Sequence, residues 1–322
     1  MSGAAGGKEE VIAPEGAPTP VGAPSGAIIS SIPPAPRSLW SDAWATLRHN
    51  RAAMTAGVIL AVLVVLVIAG PALSPYDYAR PNWDEIAVPP LTAGSAGTHV
   101  LGTDSLGRDL LTRTLVGGRL SLLIGLVSTL VSLVIGIAWG ATAGFLGGRV
   151  DRVMMRMVDL LYALPFMFLV ILLMVLFGRK ILLIFVAIGA INWLDMARIV
   201  RGQAMGLKQR EFVEAARVAG VRTFPIILRH IVPNLLGVVV VYVTLTIPQV
   251  ILVESFLSFL GLGVQEPQTS WGVMVSDGAL EMETAPWMLV VPAVFLAITL
   301  FCFNYLGDGL RDALDPRDRS GR

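Results

Sequence analysis

Hydrophobic residues along this chain do not follow the short periods of a soluble helix or strand. They gather into six long runs with almost no charge, at 52–73, 120–145, 160–177, 181–196, 235–253 and 284–303. A bilayer core of about 30 Å takes roughly 20 residues of α-helix, and a helix satisfies its backbone polar groups within one segment. Each run therefore predicts one crossing, giving an all-α membrane protein with six transmembrane helices. The first run is too long for the core of a cleaved leader. Ser74, Pro75 and Tyr76 after it do not form a small-residue cleavage site, so it is expected to stay as an anchor.

Orientation follows from the basic residues, which are retained on the cytoplasmic side of short loops. With the N-terminus inside, Arg37, Arg48 and Arg51 precede the first run, and Arg149, Arg152 and Arg156 follow the second. A dense basic set at 198–229 follows the fourth, and Arg311, Arg317, Arg319 and Arg322 come after the sixth. The opposite side receives Arg80, Arg108, Arg113, Arg119, Arg179 and Lys180, and its last loop (255–283) carries Glu266, Asp277, Glu281 and Glu283 without a Lys or Arg. Both termini are thus expected in the cytoplasm. Residues 1–37, rich in Gly, Ala and Pro with no apolar period, read as a disordered cytoplasmic tail. Leu39, Trp40, Trp44 and Leu47 mark a short amphipathic helix at the membrane surface. The expected organisation is this interfacial helix, the first span and an outer segment (38–116), a five-helix core (117–308) that includes a cytoplasmic loop at 198–234, and a C-terminal tail (309–322).

Composition serves mainly to exclude. A chain that is 55% hydrophobic and 15% charged, with a mean hydropathy of +0.72, belongs in lipid. A net charge of +1 gives no basic face for nucleic acid. The single cysteine, Cys302, lies in an apolar run and can form neither an intrachain disulfide nor a CxxC pair. His49 and His230 are predicted inside and His99 outside, too scattered for a metal site. No Gly-x-x-x-x-Gly-Lys-Ser/Thr phosphate loop, HExxH or Gly-x-Ser-x-Gly elbow occurs. Ser128 and Ser132 have no histidine at their depth to activate them. The chain is therefore expected not to be an enzyme and to hold no cofactor.

The loop at 198–234 is too long for a turn. Phe212, Ala215, Ala216 and Ala219 recur in it at helical spacing, predicting a short surface helix. Gly220 follows where a sharp turn is needed. Small alanines allow close approach of a partner, and Glu214 offers a carboxylate to a basic group across the contact.

The order Glu214-Ala215-Ala216, Gly220, His230, Val232-Pro233 resembles the EAA loop of permeases in ATP-binding-cassette importers. In that family the loop is a coupling helix docked in a groove of the ATPase subunit. The resemblance marks Phe212, Glu214, Ala215, Ala216, Arg217, Gly220, His230 and Pro233 as coupling residues. Histidine at 230, where an aliphatic residue is general, is usual in the branch importing peptides and nickel. Three more stretches resemble the C-type subunit of that branch: HVLGTDSLGRD from His99, SFLSFLGLGVQ from Ser255 with SWG at 270–272, and FNYLGDGLRDALDPR from Phe303. The resemblance implies a type I importer permease (MetI-like) fold in a bacterial inner membrane. It also implies a distinct B-type permease partner, two ATP-binding subunits that bind the ATP, and an extracytoplasmic solute-binding protein. Peptide is the first expected cargo, with nickel chelates or another small solute behind it.

Candidates for the translocation path or its gate are Glu254, Trp271 and Asn304, with an interfacial or structural role also open for Glu254. Asp195 is expected to form a salt bridge with Arg198 or Arg201. Gly117-Gly118, Gly147-Gly148 and Pro165 are read as sites of helix entry, turn and kink. A proton-coupled secondary transporter using Glu254 or Asp195 is the rival class, and a membrane scaffold or sensor a third.

Overall fold

The computed structural model describes residues 39–178 and 181–314. The expected N-terminal tail, Arg179, Lys180, the arginines beyond residue 314 and the side chain of Trp40 lie outside the described residues. The elements are α1 (Leu39–His49), α2 (Arg51–Leu73), β1 (Thr92–Ala93), β2 (Thr98–His99), α3 (Leu110–Leu146), α4 (Gly148–Tyr162), α5 (Phe166–Phe177), α6 (Ile181–Leu207), α7 (Glu211–Val218), α8 (Thr223–Ile226), a π-turn (Ile227–Ile231), α9 (Val232–Phe259), α10 (Trp271–Leu280) and α11 (Trp287–Leu314). The two short strands pair antiparallel, Thr92 opposite His99.

Among the described residues, α2, α3, the run Thr223–Phe259 and α11 are each long and apolar enough to cross a membrane, and α4 with α5 makes a fifth if the bent pair is one span. Asn50 starts α2 by accepting from the Ala53 N–H at 3.1 Å. The 23 residues that follow reach about 35 Å, enough for the apolar thickness. On the outer face of α2, Val58, Val62 and Val65 are exposed, as lipid-facing side chains are.

Two helices differ from the hydropathy pattern. α3 begins at Leu110, ten residues before the apolar run, because Asp109 caps it and accepts from the Thr112 N–H at 2.8 Å. Its added turns hold buried Arg113, paired with Asp104, and exposed Arg119, whose Nε donates to the Val67 carbonyl at 2.8 Å. The run at 160–177 is not one helix. α4 ends at Tyr162, and the chain turns through 78° before continuing as α5. Pro165, with no N–H to donate, sits at the cap of α5 and biases Leu164 away from helical backbone.

The tightest seam joins α3 to α6. Gly136, Gly140 and Gly144 present one face of α3 at four-residue spacing, and α6 packs onto it with Met196, Ala197, Val200 and Ala204. A Cβ on Gly144 would lie 2.5 Å from the Arg201 carbonyl oxygen, and one on Gly140 would strike the Ala197 carbonyl oxygen and sit 2.9 Å from Val200 Cβ. Such small-residue stripes let helix backbones approach where lipid removes any hydrophobic drive for association.

Charged pairs fasten α4 to α6. Arg201 holds Asp151 with two donors on one guanidinium edge, Nε to Oδ1 and Nη2 to Oδ2, and Arg198 Nη2 donates to Asp159 Oδ1 at 2.9 Å. The expected bridge from Asp195 to either arginine is therefore not formed. Asp195 accepts instead from Tyr162 Oη at 2.8 Å. The pairings step back along α6 as they step forward along α4, so the two helices run antiparallel and each arginine meets an acid of α4 before it can turn to its own helix.

The seam predicts a contrast between two glycines of neighbouring segments. Gly140→Leu should destabilise the detergent-solubilised protein by about 1–3 kcal/mol, read as a lowered thermal unfolding midpoint. Gly202→Leu, where an added Cβ meets nothing within 4 Å, should leave that midpoint unchanged.

Candidate functional site

The long loop between α6 and α9 folds into a compact knob. Arg210, in extended backbone, precedes α7, and Glu211 and Glu214 fall in its first turn, where a carboxylate is favoured by the helix dipole. The helix stops in a Schellman motif: the Gly220 N–H bonds the Arg217 carbonyl at 2.9 Å and the Val221 N–H bonds the Ala216 carbonyl at 3.0 Å. Gly220 takes φ +77°, the left-handed conformation that closes this motif.

Val213 is the buried anchor of α7, packed with Ala204, Phe145, Ile226, Ile227 and Ile231, and Ala216 is half-buried beside it. The inward stripe is thus rotated from the one the alanine spacing suggests, because Val213 carries more apolar surface than Ala215 or Ala219. Those two alanines face outward with Val218, 90% exposed, and Phe224, 67% exposed. Two cations secure the knob from below. Lys208 Nζ donates to the Leu146 carbonyl at 3.3 Å, and the Arg217 guanidinium lies 5.1 Å from the Phe145 ring. His230 sits half-buried in the π-turn, its ring 6.4 Å from that of Phe212, and Pro233 opens α9. All eight predicted coupling residues therefore fall within one knob, with Glu214, Ala215 and Arg217 on its exposed surface.

The three path candidates are not gathered. Glu254 has 0% exposure, and its Oε1 accepts from Ser258 Oγ and Ser270 Oγ, each at 2.7 Å. Trp271 is also 0% exposed; its indole N–H donates to the Thr114 carbonyl at 2.9 Å and its backbone N–H to Ser121 Oγ at 3.1 Å. The indole lies over Gly118, where a Cβ would come within 2.6 Å of it. Trp271 is a packing residue between α10 and α3, so the expectation that it lines the translocation path is corrected. Through Ser270 it continues into the Glu254 contact, so these two residues tie α3, α9 and α10 together. Asn304 stands apart, exposed on α11.

A cavity of about 490 Å³ opens where α4 bends into α5, against α6 and α9. Its polar lining is Tyr162, Asn192, Asp195 and Gln249. The sequence did not single out this cavity; the signal that could have found it was Pro165 in the middle of an otherwise continuous apolar run.

Comparison with known proteins follows the same lines. Residues 117–320 match the family described as binding-protein-dependent transport system inner membrane component, and residues 38–90 match the N-terminal TM domain of oligopeptide transport permease C. The chain belongs to this family of transport permeases. Over 284 residues it is 56% identical to the oligopeptide transport system permease protein OppC of Escherichia coli (strain K12), covering 88% of this chain and 93% of that protein. It is 54% identical over 283 residues to the OppC protein of Haemophilus influenzae, covering 88% and 90%. With the dipeptide transport system permease protein DppC of Bacillus subtilis it shares 46% over 283 residues, covering 88% and 87%. The permease is a multi-pass protein of the bacterial inner membrane, a transport subunit with the MetI-like fold.

The permease's HVLGTDSLGRD stretch builds a polar clasp on the segment between α2 and α3. His99 is buried between two carboxylates, Nδ1 at 2.9 Å from Asp109 Oδ1 and Nε2 at 3.0 Å from Glu85 Oε2, and its ring stacks on Tyr76 at 4.3 Å. Asp109 in turn caps α3. Next to it, buried Arg108 binds Asp104 Oδ2 at 2.8 Å and Glu266 Oε1 at 2.9 Å, and Arg113 reaches the same Asp104 oxygen at 3.2 Å. This second cluster joins the outer segment to the loop after α9.

The clasp makes a prediction in pH. Burial alone would lower the His99 value, but the hydrogen bonds and charges of Asp109 and Glu85 outweigh it and leave the value raised above 6.5. The hydrogen bond from His99 holds the Glu85 value below its ordinary 4.5, against a smaller opposing effect of burial. The histidine's contribution is complete below pH 6.5 and lost as pH rises through its raised value. The glutamate's is complete above pH 4.5 and lost as pH falls through its lowered value. Limited proteolysis of segment 74–109 should therefore be slowest between pH 4.5 and 6.5 and should accelerate on either side. His99→Gln should flatten the alkaline limb.

Proposed function

We propose that this chain is the C-type permease subunit of an ATP-driven bacterial peptide importer, taking up oligopeptides or dipeptides. It crosses the membrane six times with both termini in the cytoplasm, α6 and the short α5 supplying the crossings beyond α2, α3, α9 and α11. The basic residues of α4, of the α6 end and of the α7 knob support that orientation. The relatives named for oligopeptide and dipeptide transport support the cargo.

The observation that carries the proposal is the α7 knob itself. It exposes small and apolar side chains outward while Val213 locks it to the ends of α3, α6 and α9. A displacement applied to Glu214, Ala215 and Val218 by a closing ATPase pair thus moves three membrane helices together, with little to absorb it. The ATP is bound by those partner subunits, and this chain contributes no cofactor site. One knob engages one ATPase, so a second, B-type permease completes the pair, and a solute-binding protein delivers the peptide from outside.

The test is to uncouple the knob without unfolding the bundle. Nothing lies within 4 Å of a Cβ added to Gly220, so Gly220→Val strains only the left-handed turn. This variant should insert and assemble normally and lower ATP-driven peptide uptake in proteoliposomes roughly tenfold, with ATP hydrolysis continuing. Uptake at the wild-type rate would refute the docking role. Co-purification of the chain followed by native mass spectrometry should recover a second permease, two ATPases and bound peptide.

A further inference from the structure

The cavity at the α4–α5 bend combines three features that the helical frame alone does not require. Its walls are apolar except for Tyr162, Asn192, Asp195 and Gln249. The non-helical backbone at Leu164 and Pro165 lies in one wall, and such backbone is tolerated at membrane depth where protein buries it or where it lines a wet cavity. The Asp195 carboxylate is half-buried there with a neutral donor, Tyr162 Oη at 2.8 Å.

Among the described residues Asp195 has no basic partner. Arg198 gives its guanidinium to Asp159 and rests its flat face 4.3 Å from the Tyr162 ring, and Arg201 is held by Asp151. A carboxylate on a membrane helix is costly unless paired, so one left facing a cavity selects for a cation arriving from elsewhere. The Asn192 and Gln249 amides on the same lining offer both donors and acceptors. Together they suit a ligand carrying one positive charge followed by amide groups. The volume, about 490 Å³, lies within the roughly 300–1,000 Å³ usual for ligand pockets.

We propose that this cavity is a peptide subsite on the translocation path, in which the Asp195 carboxylate takes the α-ammonium of the passing peptide while the Asn192 and Gln249 amides meet its backbone. The inference rests on the peptide-import reading above and adds to it a residue and a recognised group. Tyr162 keeps its donor bond to Asp195 and orients the carboxylate toward the cavity.

The test compares Ala-Ala-Ala with N-acetyl-Ala-Ala-Ala, titrated by saturation-transfer NMR against the transporter that co-purifies with this chain, held in nanodiscs without ATP or binding protein. The wild type should bind the free amine about tenfold more tightly, the value of one charge-assisted hydrogen bond. Asp195→Asn keeps the volume and the acceptor for Tyr162, and should bind both peptides equally weakly; Tyr162→Phe should retain the preference. No preference in the wild type overturns the subsite, and that comparison needs no variant to fold. A preference that survives Asp195→Asn overturns it too, and its loss in Tyr162→Phe would then assign Asp195 to orienting the tyrosine. ATP-driven uptake of Ala-Ala-Ala by the complete transporter is measured in parallel. Its absence overturns the import reading, whereas uptake without amine preference overturns the subsite alone.

Discussion

In a lipid environment apolar side chains gain nothing by leaving lipid for each other, so helix association depends on close fit and polar contacts. The glycine stripe of α3, at 136, 140 and 144, provides the fit by bringing the α6 backbone onto its own. The α7 knob is positioned by this contact. α6 emerges from it at Ala204 beside Phe145, and those residues form the platform on which Val213 seats the α7 knob. Without the stripe, the knob would stand on a helix free to shift, and a push on its surface would be dissipated.

Most charged groups inside the bundle are met by polar partners, several of them from other elements. Arg108 and Arg113 meet Asp104 at the start of α3, Arg201 meets Asp151 where α4 packs on α6, and Glu254 receives two serine hydroxyls. The bond from Ser270 to Glu254 and the pairing of Arg201 with Asp151 join segments distant in the chain. The His99 clasp and the Ser270–Glu254 bond brace the bundle, whereas Asp195, which like Glu254 has only neutral donors, faces a cavity.

The α4–α5 break shows how one local constraint propagates. Pro165 removes a donor and turns the chain, which opens the wall between α5 and α6 and exposes Asn192 and Asp195 to a shared space. The same turn sets α4 antiparallel to the C-terminal half of α6, where its acids capture Arg198 and Arg201.

Sequence alone determined what depends on a residue and its near neighbours. The apolar runs located the long helices, since length and lack of charge are properties of one segment. The glutamate–alanine–alanine–glycine order located α7 and its C-terminal turn, since a Schellman cap needs only a few consecutive residues. Tertiary structure decided what depends on register between distant segments. Whether Arg201 pairs with Asp195 or Asp151, whether Trp271 is covered by Gly118, and which face of α7 is inward are settled by helix packing, and hydropathy along a single strand of sequence carries no record of it. The length of α3 beyond its apolar run has the same origin, because Arg113 and Arg119 enter the helix only where acids and carbonyls of other segments receive them.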